Sequence, residues 1–185
     1  GTLTGSGTIR VSRLGNASDL FQQQYPIANH NLAQLTIEYN GTGAQTVPSG
    51  TYNRIIVSGN DVKALSGTVS IATLSIQAGS VLDAGVFRIM ALPSFNTSGS
   101  GVLRVQSAAA DALPDDQNWS FTVQYDGSVL QTVSRGSFNG GVVVNNPSGA
   151  TLKGATTMAA LTLAAGNLIL NNLSLIHISE PTRPY

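Results

Sequence analysis

The chain has 185 residues, of which 42% are hydrophobic and only 10% charged, with no cysteine and a formal net charge of zero. Charged residues make up about a quarter of an ordinary soluble domain, so Ser, Thr, Asn, Gln and Gly must supply the polarity here. No Lys/Arg cluster exists to neutralise phosphates, which argues against a nucleic-acid partner. No run of about 18 apolar residues exists to insert into a membrane as a helix. The lack of cysteine excludes a disulfide framework and leaves the compartment open.

In chain order, GSGTIRV (Gly5–Val11) places Ile9 and Val11 on one face of a short strand and Arg10 on the other. The stretch from Gly15 to His30 falls in the extra length by which two copies of a repeat differ, and, since insertions concentrate in loops, it predicts an exposed excursion. Leu35, Ile37 and Tyr39 then alternate with Thr36 and Glu38, the pattern of a strand with one wet face. QTVPSGTYN (Gln45–Asn53) reads as a strand, a turn and a strand. Pro48 fixes φ, Gly50 takes a positive one, and Tyr52 is a large apolar anchor. Asn53 is expected to bond neighbouring backbone or to stack on like residues.

In TVSIATLSI the inward positions are odd at Val69 and Ile71 but even at Leu74 and Ile76. That switch near Ala72 and Thr73 predicts a strand bending round a corner. The helical signal of Ala108–Leu113 is too short for more than a turn. Trp119, Phe121, Val123 and Tyr125 alternate with Ser120, Thr122 and Gln124, and QTVSRGSFN (Gln131–Asn139) follows.

That last phrase repeats the earlier one 86 positions on. Between Leu35–Asn60 and Phe121–Asn146, ten of 26 positions are identical: Thr36, Tyr39, Gly41, Gln45, Thr46, Val47, Gly50, Asn53, Val57 and Asn60. A one-residue insertion placed after Asn60 brings Ile71, Leu74, Ile76 and Gly79 onto Met158, Leu161, Leu163 and Gly166. GSGTIRV returns as GSGVLRV (Gly99–Val105), so the extra length of the first copy falls in Ser12–Gln34. The repeated structural positions are Gly50, Tyr52 and Asn53 with Gly136, Phe138 and Asn139.

Short strands with small residues at bends predict an all-β, right-handed parallel β-helix or solenoid with coils of about 20–25 residues. The alternative is tandem immunoglobulin-like sandwiches. The chain divides into residues 1–34 (the end of a preceding repeat and a variable loop), repeat unit 1 (35–120), a partial unit 2 (121–172) and a tail (173–185). A segment cut from such an array is expected to present sticky coil edges. The tail LSLIHISEPTR (Leu173–Arg183) departs from the composition of the rest and resembles a translated sequencing-library adapter, so His177, Glu180 and Arg183 are set aside.

The motifs GSG-x-[IL]-R-V, [FL]-T-[IV]-x-Y-[ND]-G, QTV-x-x-G-[ST]-[YF]-N and TLSIQAGSVLDAG resemble repeats of very large secreted or surface proteins of Gram-negative bacteria, the adhesin-like solenoids. The resemblance implies export, an extracellular or cell-surface location, and a structural or adhesive spacer role. The partners it implies are neighbouring repeats of the same chain, with surface glycans or other cells as candidates, and it implies no catalysis and no cofactor.

The residues themselves offer little chemistry. Outside the tail, His30 is the sole histidine and Glu38 the sole glutamate, which leaves no catalytic triad and no zinc set. Asp111, Asp115 and Asp116 are the densest carboxylates. With Arg104 they are the alternative calcium or glycan site of a carbohydrate-binding or carbohydrate-active β-helix. Trp119, in register with Phe121, is expected to fill the core rather than to stack on a sugar.

Overall fold

The computed structural model describes residues 2–15, 20–27 and 29–170. The adapter-like tail and the side chain of His30 lie outside the described residues. Strands of two to eleven residues succeed one another along the chain, and every pairing among them is parallel. Parallel pairing of consecutive short strands requires the backbone to coil, and it rules out the sandwich, whose sheets are antiparallel. The fold is a β-solenoid of about seven turns.

Each coil has three sides. The second side is a single seven-stranded sheet running from Gln45–Val47 through Val62–Leu65, Val81–Asp83, Val102–Val105, Thr122–Tyr125 and Val142–Asn145 to Leu161–Ala165. Val62 faces Val81, Val81 faces Val102, Val102 faces Thr122 and Val142 faces Leu161, so a coil takes 19 to 21 residues there. It takes 18 between Gln45 and Lys63. Coils thus fall at or just below the short end of the expected 20–25 residues, because most strands have only three or four residues to a side and the connections between them are short.

The parity switch at Ala72 and Thr73 is such a corner. The strand Val69–Ile76 is continuous, but its first part faces Gly50–Tyr52 on the third side and its last part faces Arg54–Val57 on the first. Inward residues from the three sides form one core, with Ile37, Ile55, Leu74, Leu82, Leu103 and Val123 fully buried. Each coil covers the apolar edge of the one before, so the hydrophobic gain recurs with every turn.

The register relocates the insertion between the two copies. Tyr52 and Phe138 are counterparts, yet Ile55 faces Ile37 where Val142 faces Val123. The extra residue therefore lies at Asn139–Gly141, and not after Asn60. It breaks one long strand, Gly50–Val57, into two, Gly136–Phe138 and Val142–Asn145. A Cβ on Gly140 would lie 2.2 Å from the Phe121 carbonyl carbon, so the inserted corner leaves no room there for a side chain.

The repeat does not span a whole number of coils. Thr36–Tyr39 is on the first side, but its copy Thr122–Tyr125 is on the second. Gln45–Val47 is on the second side and Gln131–Val133 on the third. From the first copy to its return the chain passes four full coils and one further side. Equivalent residues are therefore displaced by a third of a turn round the axis.

The segment expected to be an exposed excursion is instead partly packed. Its short helix, Leu20–Gln24, buries Phe21 completely, with the Tyr25 ring 5.5 Å away. Phe21 is an apolar anchor without a period, and so gave no strand or helix pattern to read.

Candidate functional site

The corner phrase of each copy is held by a buried glutamine. Gln45 accepts from the Gly41 N–H (2.9 Å) and donates to the Val11 and Arg13 carbonyls (2.7 and 2.8 Å). Gln131 accepts from the Gly127 N–H (2.8 Å) and donates to the Val105 and Ser107 carbonyls (2.8 and 3.2 Å). Each amide closes the turn before its strand and ties that turn to the preceding coil. The three partners common to both copies are backbone, so the side chain must be an amide of this length; Gln131 Oε1 also accepts from the Asn146 side-chain amide of the next coil at 3.0 Å. The spacing G-x-x-x-Q, in Gly41–Gln45 and Gly127–Gln131, is the sequence signal of this bracket.

One coil further on, Lys63 faces Gln45 and is fully buried. Its ammonium donates to the Gly41 and Gly43 carbonyls at 2.8 and 3.0 Å. Burial lowers its pKa, against the pull of Asp61 in the other direction. In the second copy the carbonyl equivalent to Gly43 belongs to Val129, and it accepts instead from the Asn146 amide at 2.7 Å. A neutral donor there replaces a buried cation.

The other marked positions are structural. Gly50 and Gly136 have φ of 154° and 135°, and a Cβ on Gly136 would meet the Gln117 carbonyl oxygen at 2.4 Å. Tyr52 and Phe138 are fully buried, and the Tyr52 hydroxyl donates to the Pro48 carbonyl at 2.8 Å. Phe138 lacks that hydroxyl, and Ser134 stands where Pro48 was. Asn53 and Asn139 are exposed at the corner, and neither side chain is hydrogen-bonded among the described residues. The polar bracket rests on the glutamines and not on these asparagines.

Of the four residues of the candidate calcium or glycan site, Asp115 and Asp116 meet at Arg135, while Asp111 and Arg104 lie with other partners. Asp111 pairs with Arg88. Asp115 accepts from the Lys153 ammonium at 2.6 Å and from the Arg135 backbone N–H at 3.1 Å. Asp116 pairs with the Arg135 guanidinium at 2.9 Å. Partial burial would raise the Asp115 pKa, but Lys153 and Arg135 outweigh it and hold the carboxyl below its usual range. Asp115, Arg135 and Lys153 come from successive coils, so this corner is a ladder of opposite charges.

Arg104 belongs elsewhere, in register with Asp83 on one neighbouring strand and Gln124 on the other. Near it, Asp126 lines a groove of about 380 Å³ with Val86, Gln106 and Asn145. Its pKa is raised by burial and by the like charge of Asp83, with Arg104 partly offsetting both. Among the described residues no group of three or more His, Cys, Asp or Glu side chains could hold a metal ion. Trp119 is fully buried, stacked on Phe138 at 6.4 Å and edge-on to Phe95 at 5.6 Å, so its face is not open to a sugar.

Comparison with protein-family models, curated proteins and solved structures finds no match to this chain.

Proposed function

We propose that the chain is a structural segment, a spacer or adhesive stalk, of a large extracellular or cell-surface protein. The observation that supports this reading is where the repeated residues go. Gln45 and Gln131, Gly50 and Gly136, and Tyr52 and Phe138 all serve the stacking of one coil on the next. The carboxylates that could have formed a site are paired with cations of adjacent coils.

A stalk gains length by adding coils. With strands about 4.8 Å apart, a repeat of four and a third coils adds about 21 Å. Electron microscopy of polypeptides carrying two, four and six repeats is expected to show rods that lengthen by about that amount per repeat. Compact particles of constant aspect would contradict the reading. Glycan binding that is lost in the Asp115→Ala, Asp116→Ala double variant would replace it with a carbohydrate-binding one.

A further inference from the structure

The two ends of the chain are copies of two layers that already touch inside it. Internally, Val102, Leu103 and Arg104 lie on Val81, Leu82 and Asp83, and Asn96–Gly99 lies on Thr73–Ile76. In the repeat, the lower layer recurs as residues 160–170, the C-terminal edge. There Leu161–Ala165 and Leu168–Ile169 each pair on one side only among the described residues, and Leu163 and Ile169 are 53% and 45% exposed. The upper layer, Asn96–Val105, recurs as residues 2–11, the N-terminal edge, where among the described residues Thr8–Val11 pairs only with Thr36–Tyr39.

A groove of about 550 Å³ runs along that N-terminal edge, lined by Leu3, Thr8, Ile9, Arg10, Tyr25 and Ile27. It lies along the residues that, in the internal junction, are covered by Val81–Asp83. The edge is also partly occupied by a substitute. In the junction the Arg104 carbonyl accepts from the Ala84 N–H at 3.0 Å, and the Gln106 N–H donates to the Gly85 carbonyl at 2.8 Å. At the equivalent places the Arg10 carbonyl accepts from the Gln24 amide and the Tyr25 hydroxyl (3.0 and 2.7 Å), and the Ser12 N–H donates to Gln24 Oε1 (2.9 Å). The Gln24 amide supplies the donor and the acceptor that a preceding coil would supply.

We propose that the N-terminal groove receives the strand Leu168–Ile169 of a second copy, head to tail, and that Gln24 and Tyr25 form a cap competing for the same edge. The contact is heterologous, joining unlike edges of the two copies, so assembly through it is linear. Thr8 would pair with Leu168 and Ile9 with Ile169, as Val102 pairs with Val81 and Leu103 with Leu82.

Sedimentation velocity over a dilution series of the full chain tests this. The Gln24→Ala, Tyr25→Phe variant frees the edge but keeps the aromatic ring beside Phe21, and it is expected to associate about tenfold more tightly than the parent. Adding Ile169→Lys to it is expected to abolish association. For polarity, Thr8→Pro removes an edge N–H whose counterpart at Val102 bonds the preceding coil, while the ladder to Thr36–Tyr39 keeps its bonds. Thr8→Pro and Ile169→Lys chains should each stay monomeric alone and form a 1:1 dimer, and nothing larger, when mixed. Circular dichroism confirms that each variant is folded. A cap variant no more associated than the parent, or self-association of either blocked chain, overturns the proposal.

Discussion

Gln45 and Gln131, 86 residues apart, make the same three hydrogen bonds although they sit on different sides of the solenoid. Rotating the repeat by a third of a turn leaves these three bonds unchanged, because their partners are backbone atoms of its own turn and of the coil before it; Gln131 adds a fourth, accepting from the Asn146 amide of the next coil at 3.0 Å. The repeat unit is therefore a local device that works on any side. Gln45→Ala strands a buried N–H and two carbonyls, and Gln131→Ala also removes the acceptor of the Asn146 amide; each is expected to cost about 2–4 kcal/mol in urea unfolding, with Gln131→Ala the larger. A loss under about 0.5 kcal/mol would show that water takes over the bonds.

Gly50 and Gly136 occupy the same place but not the same surroundings. A Cβ on Gly50 meets nothing nearer than the Tyr52 ring at 3.6 Å, whereas on Gly136 it strikes backbone at 2.4 Å. Gly136→Ala is expected to lower stability more than Gly50→Ala, by at least about 1 kcal/mol, since both pay the strained φ and only one forces two coils apart.

Trp119 is the chain's single tryptophan and is fully buried against Phe95, Phe121 and Phe138. Its emission should be blue-shifted and resist acrylamide quenching. Phe138→Ala removes the stacked ring and is expected to cost about 3–5 kcal/mol and to red-shift that emission.

Burial raises the pKa of the Tyr125 hydroxyl above its ordinary value of 10, with Ser134 partly offsetting the rise. The unfolded chain then ionises where the folded chain does not, so stability is intact below pH 10 and falls as pH climbs beyond it. The Tyr125 contribution to that fall is about 1.4 kcal/mol in total between pH 9 and 11. Thermal melts from pH 9 to 11 should therefore decline less steeply in Tyr125→Phe than in the parent.

Much of the architecture was legible because the core pattern is periodic. Alternation at Ile37–Tyr39 and Trp119–Tyr125, and the parity switch at Ala72–Thr73, come from side chains pointing in or out of a bending strand, which one sequence records directly. The corner glycines and the Tyr52/Phe138 anchor were visible for the same reason.

What was not legible depends on contacts between coils. The arms of the Gln45 bracket that reach the preceding coil, the buried Lys63 and the Asp115–Arg135–Lys153 ladder join residues 18 to 38 positions apart, and no local pattern marks a partner at that distance. The candidate carboxylate group of Asp111, Asp115, Asp116 and Arg104 was proximity in sequence. Coiling sends Arg104 to a different strand ladder from the cations that hold the aspartates. The insertion at Asn139–Gly141 was misplaced because Asn60 and Asn146 match by letter but not by register.

The central claim is that neighbouring coils stack in parallel and in register. Ser137 and Thr157 face each other across one such pairing, with their hydroxyl oxygens 3.0 Å apart. The chain has no cysteine of its own, so Ser137→Cys with Thr157→Cys introduces a single thiol pair. Mild oxidation followed by peptide mapping is expected to give the intrachain disulfide as the main product. Free thiols, or disulfides only between chains, would contradict the stacking.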